Sequence, residues 1–162
     1  MVVGATKYWH SWTGRAADAE LDKVVMVGVP ADQLYRPVAL LDELYPLGRG
    51  VSPSMNTVMI RAQLLKTIGG WEESFRMAYT DQAFLVKLYL HTPVWVTGDV
   101  WDLYRQRPES SSNTALAGDG YRRTRTQFLS WFETYLRQHG LVGSEAYERV
   151  NKALQRRRRT CS

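Results

Sequence analysis

One aspartate, Asp81, stands where this chain could most readily do chemistry. It follows the stretch Gly69-Gly70-Trp71-Glu72-Glu73-Ser74-Phe75 after a short gap and opens the apolar run that continues to Pro93. A Gly-Gly pair, an aromatic and a loop place its carboxylate where a connection meets solvent at the start of a helix. A carboxylate fixed there can take a proton from an acceptor hydroxyl, a general-base step that contributes about 10²- to 10⁴-fold. The position also has a plainer use. Thr80 can cap the helix, and Asp81 in the first turn interacts favourably with the helix dipole, by about 0.3–1 kcal/mol.

The elements that must position Asp81 follow from spacing. Residues 81–93 carry Phe84, Leu85, Leu88 and Tyr89 on one stripe, which predicts a helix stopped by Pro93. Before it, residues 56–60 read as a strand and residues 61–70 as a short helix, ended by Gly69 or Gly70 in the left-handed conformation. Residues 22–29 are a β-branched run that reads as a strand. Residues 36–50 show a helical spacing at Val38, Leu41, Leu44 and Tyr45, closed by Pro46 and Gly48. Residues 93–108 read as two short strands around Gly98, and residues 109–120 as a polar, mobile loop. Two amphipathic helices close the chain, one striped by Tyr121, Phe128, Trp131, Phe132 and Tyr135, the other by Tyr147, Val150 and Leu154. Mixed strands and helices followed by helices alone imply an α/β or α+β fold with a helical C-terminal extension.

Composition bounds the function. The chain has 162 residues, 44% hydrophobic and 23% charged, enough for one core and in the range of ordinary globular proteins. Six Trp and nine Tyr suit a core with an adjoining carbohydrate or nucleotide face, though aromatics also simply fill cores. The single cysteine, Cys161, excludes an intramolecular disulfide and fits a reducing compartment. His10, His91 and His139 are scattered without metal-ligand spacing. No apolar run spans a membrane and no signal-peptide pattern opens the chain, so a cytoplasmic location is expected. The net charge of +5 is uneven: residues 120–162 hold 10 Lys/Arg against 3 Asp/Glu, ending in Arg156 to Arg159. Such a tail suits a solvated helix end or peripheral contact with the inner face of a membrane. Nucleic acid is not the expected partner, since that reading rests on charge alone.

Residues 50–113 resemble the C-terminal half of family 2 glycosyltransferases of the GT-A fold. The resemblance rests on a strand, a short helix, the Gly69-Gly70-Trp71-Glu72-Glu73-Ser74-Phe75 element, Thr80-Asp81 in place of an "ED" pair, and Tyr104-Arg105-Gln106-Arg107 in place of "YR-H" before serines. It implies a partial GT-A α/β fold, with residues 1–113 as the acceptor-side portion and residues 114–162 as a helical extension. It also implies inverting sugar transfer from a nucleotide-sugar donor to an acceptor hydroxyl, with Asp81 as general base. Trp71 and Glu72 match acceptor-side positions, where an aromatic can stack on a sugar and a carboxylate can take hydroxyl hydrogen bonds. Arg105 and Arg107 match the segment near the donor diphosphate, where a guanidinium can neutralise the leaving group.

The chain departs from the family pattern in two positions, Thr80 for the glutamate and Arg107 for the histidine. It also has no Asp-x-Asp to hold the Mn²⁺ or Mg²⁺ expected of the complete enzyme. Its nearest acidic pairs are Asp18 with Glu20 and Asp99 with Asp102. The nucleotide-binding half is therefore expected on a separate chain or to be lost. The alternative is a non-catalytic carbohydrate-binding or partner-completing module, favoured by an abrupt apolar start that suggests a cut sheet edge seeking pairing.

Overall fold

The computed structural model describes residues 1–76, 78–107 and 119–160, with the side chains of 119, 120 and 157–160 left out. The expected polar loop over 109–120 lies almost wholly outside the described residues. Five strands form one mixed sheet: β1 (Val2–Trp9), β2 (Lys23–Val25), β3 (Gln33–Tyr35), β4 (Val58–Met59) and β5 (Val94–Arg105). The order is β2-β1-β5-β3, with β4 also on β1. β1 and β5 run parallel, and the other pairings are antiparallel. The helices are α1 (Ala16–Ala19), α2 (Ala39–Glu43), α3 (Ala62–Thr67), α4 (Thr80–His91), α5 (Asp119–Gln138) and α6 (Glu145–Thr160). The architecture is mixed α/β.

The apolar opening of the chain is not a cut edge. β1 lies inside the sheet, flanked by β5 on one side and by β2 and β4 on the other. Its β-branched and aromatic residues suit that place, and Val3 to Thr6 are buried in succession, as in a strand covered on both faces. β2 is shorter than the run at 22–29 suggests. Past Val25 the chain leaves β1, and the Gly28 N–H donates to the Val51 carbonyl at 2.9 Å. A Cβ on Gly28 would sit 2.2 Å from the Gly50 Cα, so only glycine permits this approach.

The two strands expected around Gly98 are one. β5 runs 12 residues, and the bend is absorbed by register shifts against β1 between Val3 and Ala5 and between Ala5 and Thr6. The Asp32 carboxylate accepts the Gly98 N–H at 3.2 Å, satisfying the donor that the bulge exposes.

The central helix is α4. The sequence offers a stripe, yet the structure buries all seven residues from Ala83 to Tyr89, Lys87 among them. One apolar cluster joins Val3, Val94 and Val96 of the sheet, α4, Leu40 and Leu41 of α2, Phe128, Leu129, Phe132 and Leu136 of α5, and Ala146 and Val150 of α6. The described residues before 108 and after 118 thus share a single core.

Candidate functional site at the start of the buried helix

The left-handed pair Gly69 and Gly70, with φ of 73° and 64°, ends α3, and the Gly70 N–H closes the turn on the Leu65 carbonyl at 3.1 Å. The chain then crosses to α4. Thr80 does not cap that helix: its hydroxyl donates to the Phe75 carbonyl at 3.0 Å. The cap position belongs to Tyr79, held at a φ of 67°. Tyr79 is a buried aromatic, and packing selects its place over the backbone preference.

Asp81 sits in the first turn of α4. It is exposed as a residue and has no hydrogen-bond or ion-pair partner among the described residues. Protein atoms crowd its carboxyl and raise its pKa by desolvation, an effect that its open side moderates. An unpartnered carboxylate with raised proton affinity is suited to accepting a proton.

Trp71 lies on Phe84, ring centroids 4.3 Å apart and planes 16° from parallel, and remains 45% exposed. It is a half-open aromatic shelf and not a core plug. Glu72 pairs with the buried Lys87 at 3.3 Å and accepts from the Ser74 hydroxyl at 3.1 Å, while Lys87 also donates to the Gly70 carbonyl at 3.3 Å. Asp81, Phe84 and Lys87 follow one another at three-residue spacing. One side of α4 therefore carries Asp81, the partner of Trp71 and the partner of Glu72 within about 9 Å of axial rise.

Arg105 and Arg107 belong to a second cluster, at the C-terminal ends of the parallel strands β1 and β5. Arg105 lies over the Trp9 ring at 5.6 Å and Arg107 over the Trp12 ring at 5.4 Å. The Trp12 indole N–H donates to the Gln106 carbonyl at 3.0 Å, and the Gln106 N–H to the Trp9 carbonyl at 3.1 Å. Among the described residues neither guanidinium meets a carboxylate, and no contact joins this cluster to Asp81, Trp71 or Glu72.

A third group escaped sequence reasoning. The hydroxyls of Tyr45, Tyr79 and Tyr121 lie 2.8–3.0 Å from one another, and Arg125 Nη1 donates to Tyr45 at 3.1 Å and Tyr79 at 3.0 Å. Burial, then hydrogen bonding, raises the pKa of Tyr45, and burial raises that of Tyr79. The available signal was Arg125 itself, a charge on the same helical face as Tyr121, Phe128 and Phe132.

Three of the four acids in those pairs have other occupations. Asp18 bonds Thr13 and Arg15, Asp99 accepts from the Thr97 hydroxyl at 3.0 Å, and Asp102 accepts from Asn56 at 3.4 Å. No group of three or more His, Cys, Asp or Glu side chains converges among the described residues, so these residues form no cage for a divalent cation. No helix among them is long and apolar enough to cross a membrane. Comparisons with protein-family models, curated proteins and solved structures find no match for this chain.

Proposed function

We propose that this chain is the acceptor-side half of an inverting, family 2-like glycosyltransferase of GT-A type, with Asp81 as the general base. The observation that carries the reading is the unpartnered, partly desolvated Asp81 carboxylate, on the side of α4 that also holds the open Trp71 ring. Trp71 offers a sugar ring a flat apolar face. Glu72, anchored by Lys87, keeps lone pairs for acceptor hydroxyls, and Asp81 takes the proton as the hydroxyl attacks the donor sugar. Arg105 and Arg107, backed by Trp9 and Trp12, offer two unneutralised cations to the leaving diphosphate. The divalent cation expected of a complete enzyme would be held by groups outside the described residues. Its donor site would come from a nucleotide-binding half outside the described residues.

The test is sugar transfer, read as release of nucleoside diphosphate, by this chain supplied with such a half. Asp81→Asn should lower turnover about 10²- to 10⁴-fold with donor binding unchanged. Near-normal turnover in Asp81→Asn would remove Asp81 from the chemistry.

The second reading, a non-catalytic module that completes a partner, gains support from the outer face of the sheet. Met59, Val2, Trp95 and Leu34 stand in register across four strands, and Met59, Trp95 and Leu34 are exposed. A bare apolar row of this kind suits coverage by another element. Stable co-purification with a partner, and no transfer by the pair, would favour it.

A further inference from the structure

We propose that Arg125, held by the hydroxyls of Tyr45 and Tyr79 with Tyr121 closing their ring, forms a subsite for a phosphate-type oxyanion. Its assignment to donor or acceptor draws on the function proposed above, whereas the binding itself does not. Arg125 reaches from α5 to Tyr45 and Tyr79, its guanidinium carbon 5.8 Å from the centre of the Tyr45 ring. It is half-buried, and among the described residues no carboxylate faces it. Partial burial of a cation without a counter-charge is costly.

The contacts of Arg125 engage Nη1 alone. Nε and Nη2 keep their N–H groups, in the fork that matches two oxygens of one phosphate. The phenols extend the donor set. In the closed ring of hydroxyls each proton serves a neighbour, yet a hydroxyl hydrogen rotates freely and can turn to a stronger acceptor. Neither of the two close Nη1 hydrogen bonds of Arg125 goes to Tyr121, so the Tyr121 proton can turn with the least disturbance.

Placement ties this group to the candidate site. Tyr79, the hub of the ring, stacks on Phe128 at 4.7 Å and on Tyr121 at 5.6 Å, and it is also the residue that starts α4. Asp81 follows two residues later on the same turn. The two groups therefore share the start of α4 through the backbone and lie on different sides of the helix. The oxyanion belongs either to the donor diphosphate or to an acceptor that itself carries a phosphate.

The experiment titrates the whole chain with inorganic phosphate and with pyrophosphate by calorimetry. Saturable binding is expected, weakened about tenfold or more in Arg125→Gln, where a charge-assisted contact is lost, and several-fold in Tyr121→Phe. Arg123→Gln, which removes a charge from an exposed position of the same helix, should leave binding unchanged. If Arg125→Gln loosens α5, Tyr121→Phe carries the test, because it keeps the ring in place and removes one hydroxyl. A nucleoside diphosphate that competes with phosphate assigns the subsite to the donor, and one that binds alongside it assigns the subsite to the acceptor. Absence of saturable binding to both probes, or equal affinity in the wild type, Arg125→Gln and Tyr121→Phe, would overturn the proposal. Arg125-dependent binding in a chain whose Asp81→Asn form still transfers sugar would sink the role of Asp81 and leave the subsite standing.

Discussion

Lys87 and Glu72 meet at 3.3 Å, a buried lysine of the central helix clasping the carboxylate of the loop before it. The pair fixes the loop that carries Trp71 against the helix that carries Asp81. It also explains how a charge is tolerated in a helix buried on nearly every side. An enclosed ammonium needs a counter-charge and acceptors in place of water, and Glu72 and the Gly70 carbonyl supply them.

Removing one member should therefore cost more than removing the charge. Glu72→Ala strands the ammonium and should destabilise the chain by about 2 kcal/mol, moderated because Glu72 is partly in water. Lys87→Met keeps the packing and discards the charge, and should change stability by about 1 kcal/mol or less. Urea midpoints at constant slope check the comparison.

Trp71 and Phe84 should separate binding from folding. Phe84→Ala empties a core position and should cost about 3–5 kcal/mol. Trp71→Ala, from a half-open shelf, should cost about 1 kcal/mol and yet abolish quenching of tryptophan fluorescence by an acceptor sugar. A large loss of stability in Trp71→Ala would return this ring to the core.

Asp81 should leave a signature in pH. Its folded pKa lies above the ordinary 3.8, so the folded chain holds the Asp81 proton more tightly than the unfolded chain does. The stabilising contribution is complete below 3.8 and fades as pH rises through the folded value. Asp81→Asn should therefore be neutral or stabilising at pH 7, with the difference gone in acid. Melting curves of both proteins from pH 3 to pH 7 read this directly, and transfer should rise with pH through the same titration.

The opposite sign applies to His91. Its ring lies 5.0 Å from that of His139 and its Nε2 is 3.1 Å from the Tyr135 hydroxyl. Burial, then the neighbouring His139, lowers its pKa below 6.5. The contribution of neutral His91 is complete above 6.5 and is lost as pH falls through the folded value. His91→Gln should flatten the loss of melting temperature between pH 7 and pH 5.

Local pattern alone determined the helices at the end of the chain and the one that carries Asp81. Their apolar residues recur at helical spacing, and Pro93, Gly69 and Gly70 punctuate them. The opening strand was illegible for the opposite reason. A run such as Val2 to Trp9 shows that residues are apolar but not whether they lie at an edge or in the middle, because a strand's neighbours come from distant segments. Gly98 reads locally as a break, yet the strand continues, since Asp32 from another strand's approach satisfies the exposed N–H.

The candidate site divides along the same line. Asp81, Trp71 and Glu72 were legible as a group because they sit within thirteen consecutive residues, positions 69–81, and one helix face gathers them. Only the fold decided that Arg105 and Arg107 stack on Trp9 and Trp12, and that Tyr45, Tyr79, Tyr121 and Arg125 converge. Sequence encodes such side chains one at a time. Their meeting is set by parallel pairing of β1 with β5 and by the packing of α5 on α4, which are long-range consequences of burying one shared core.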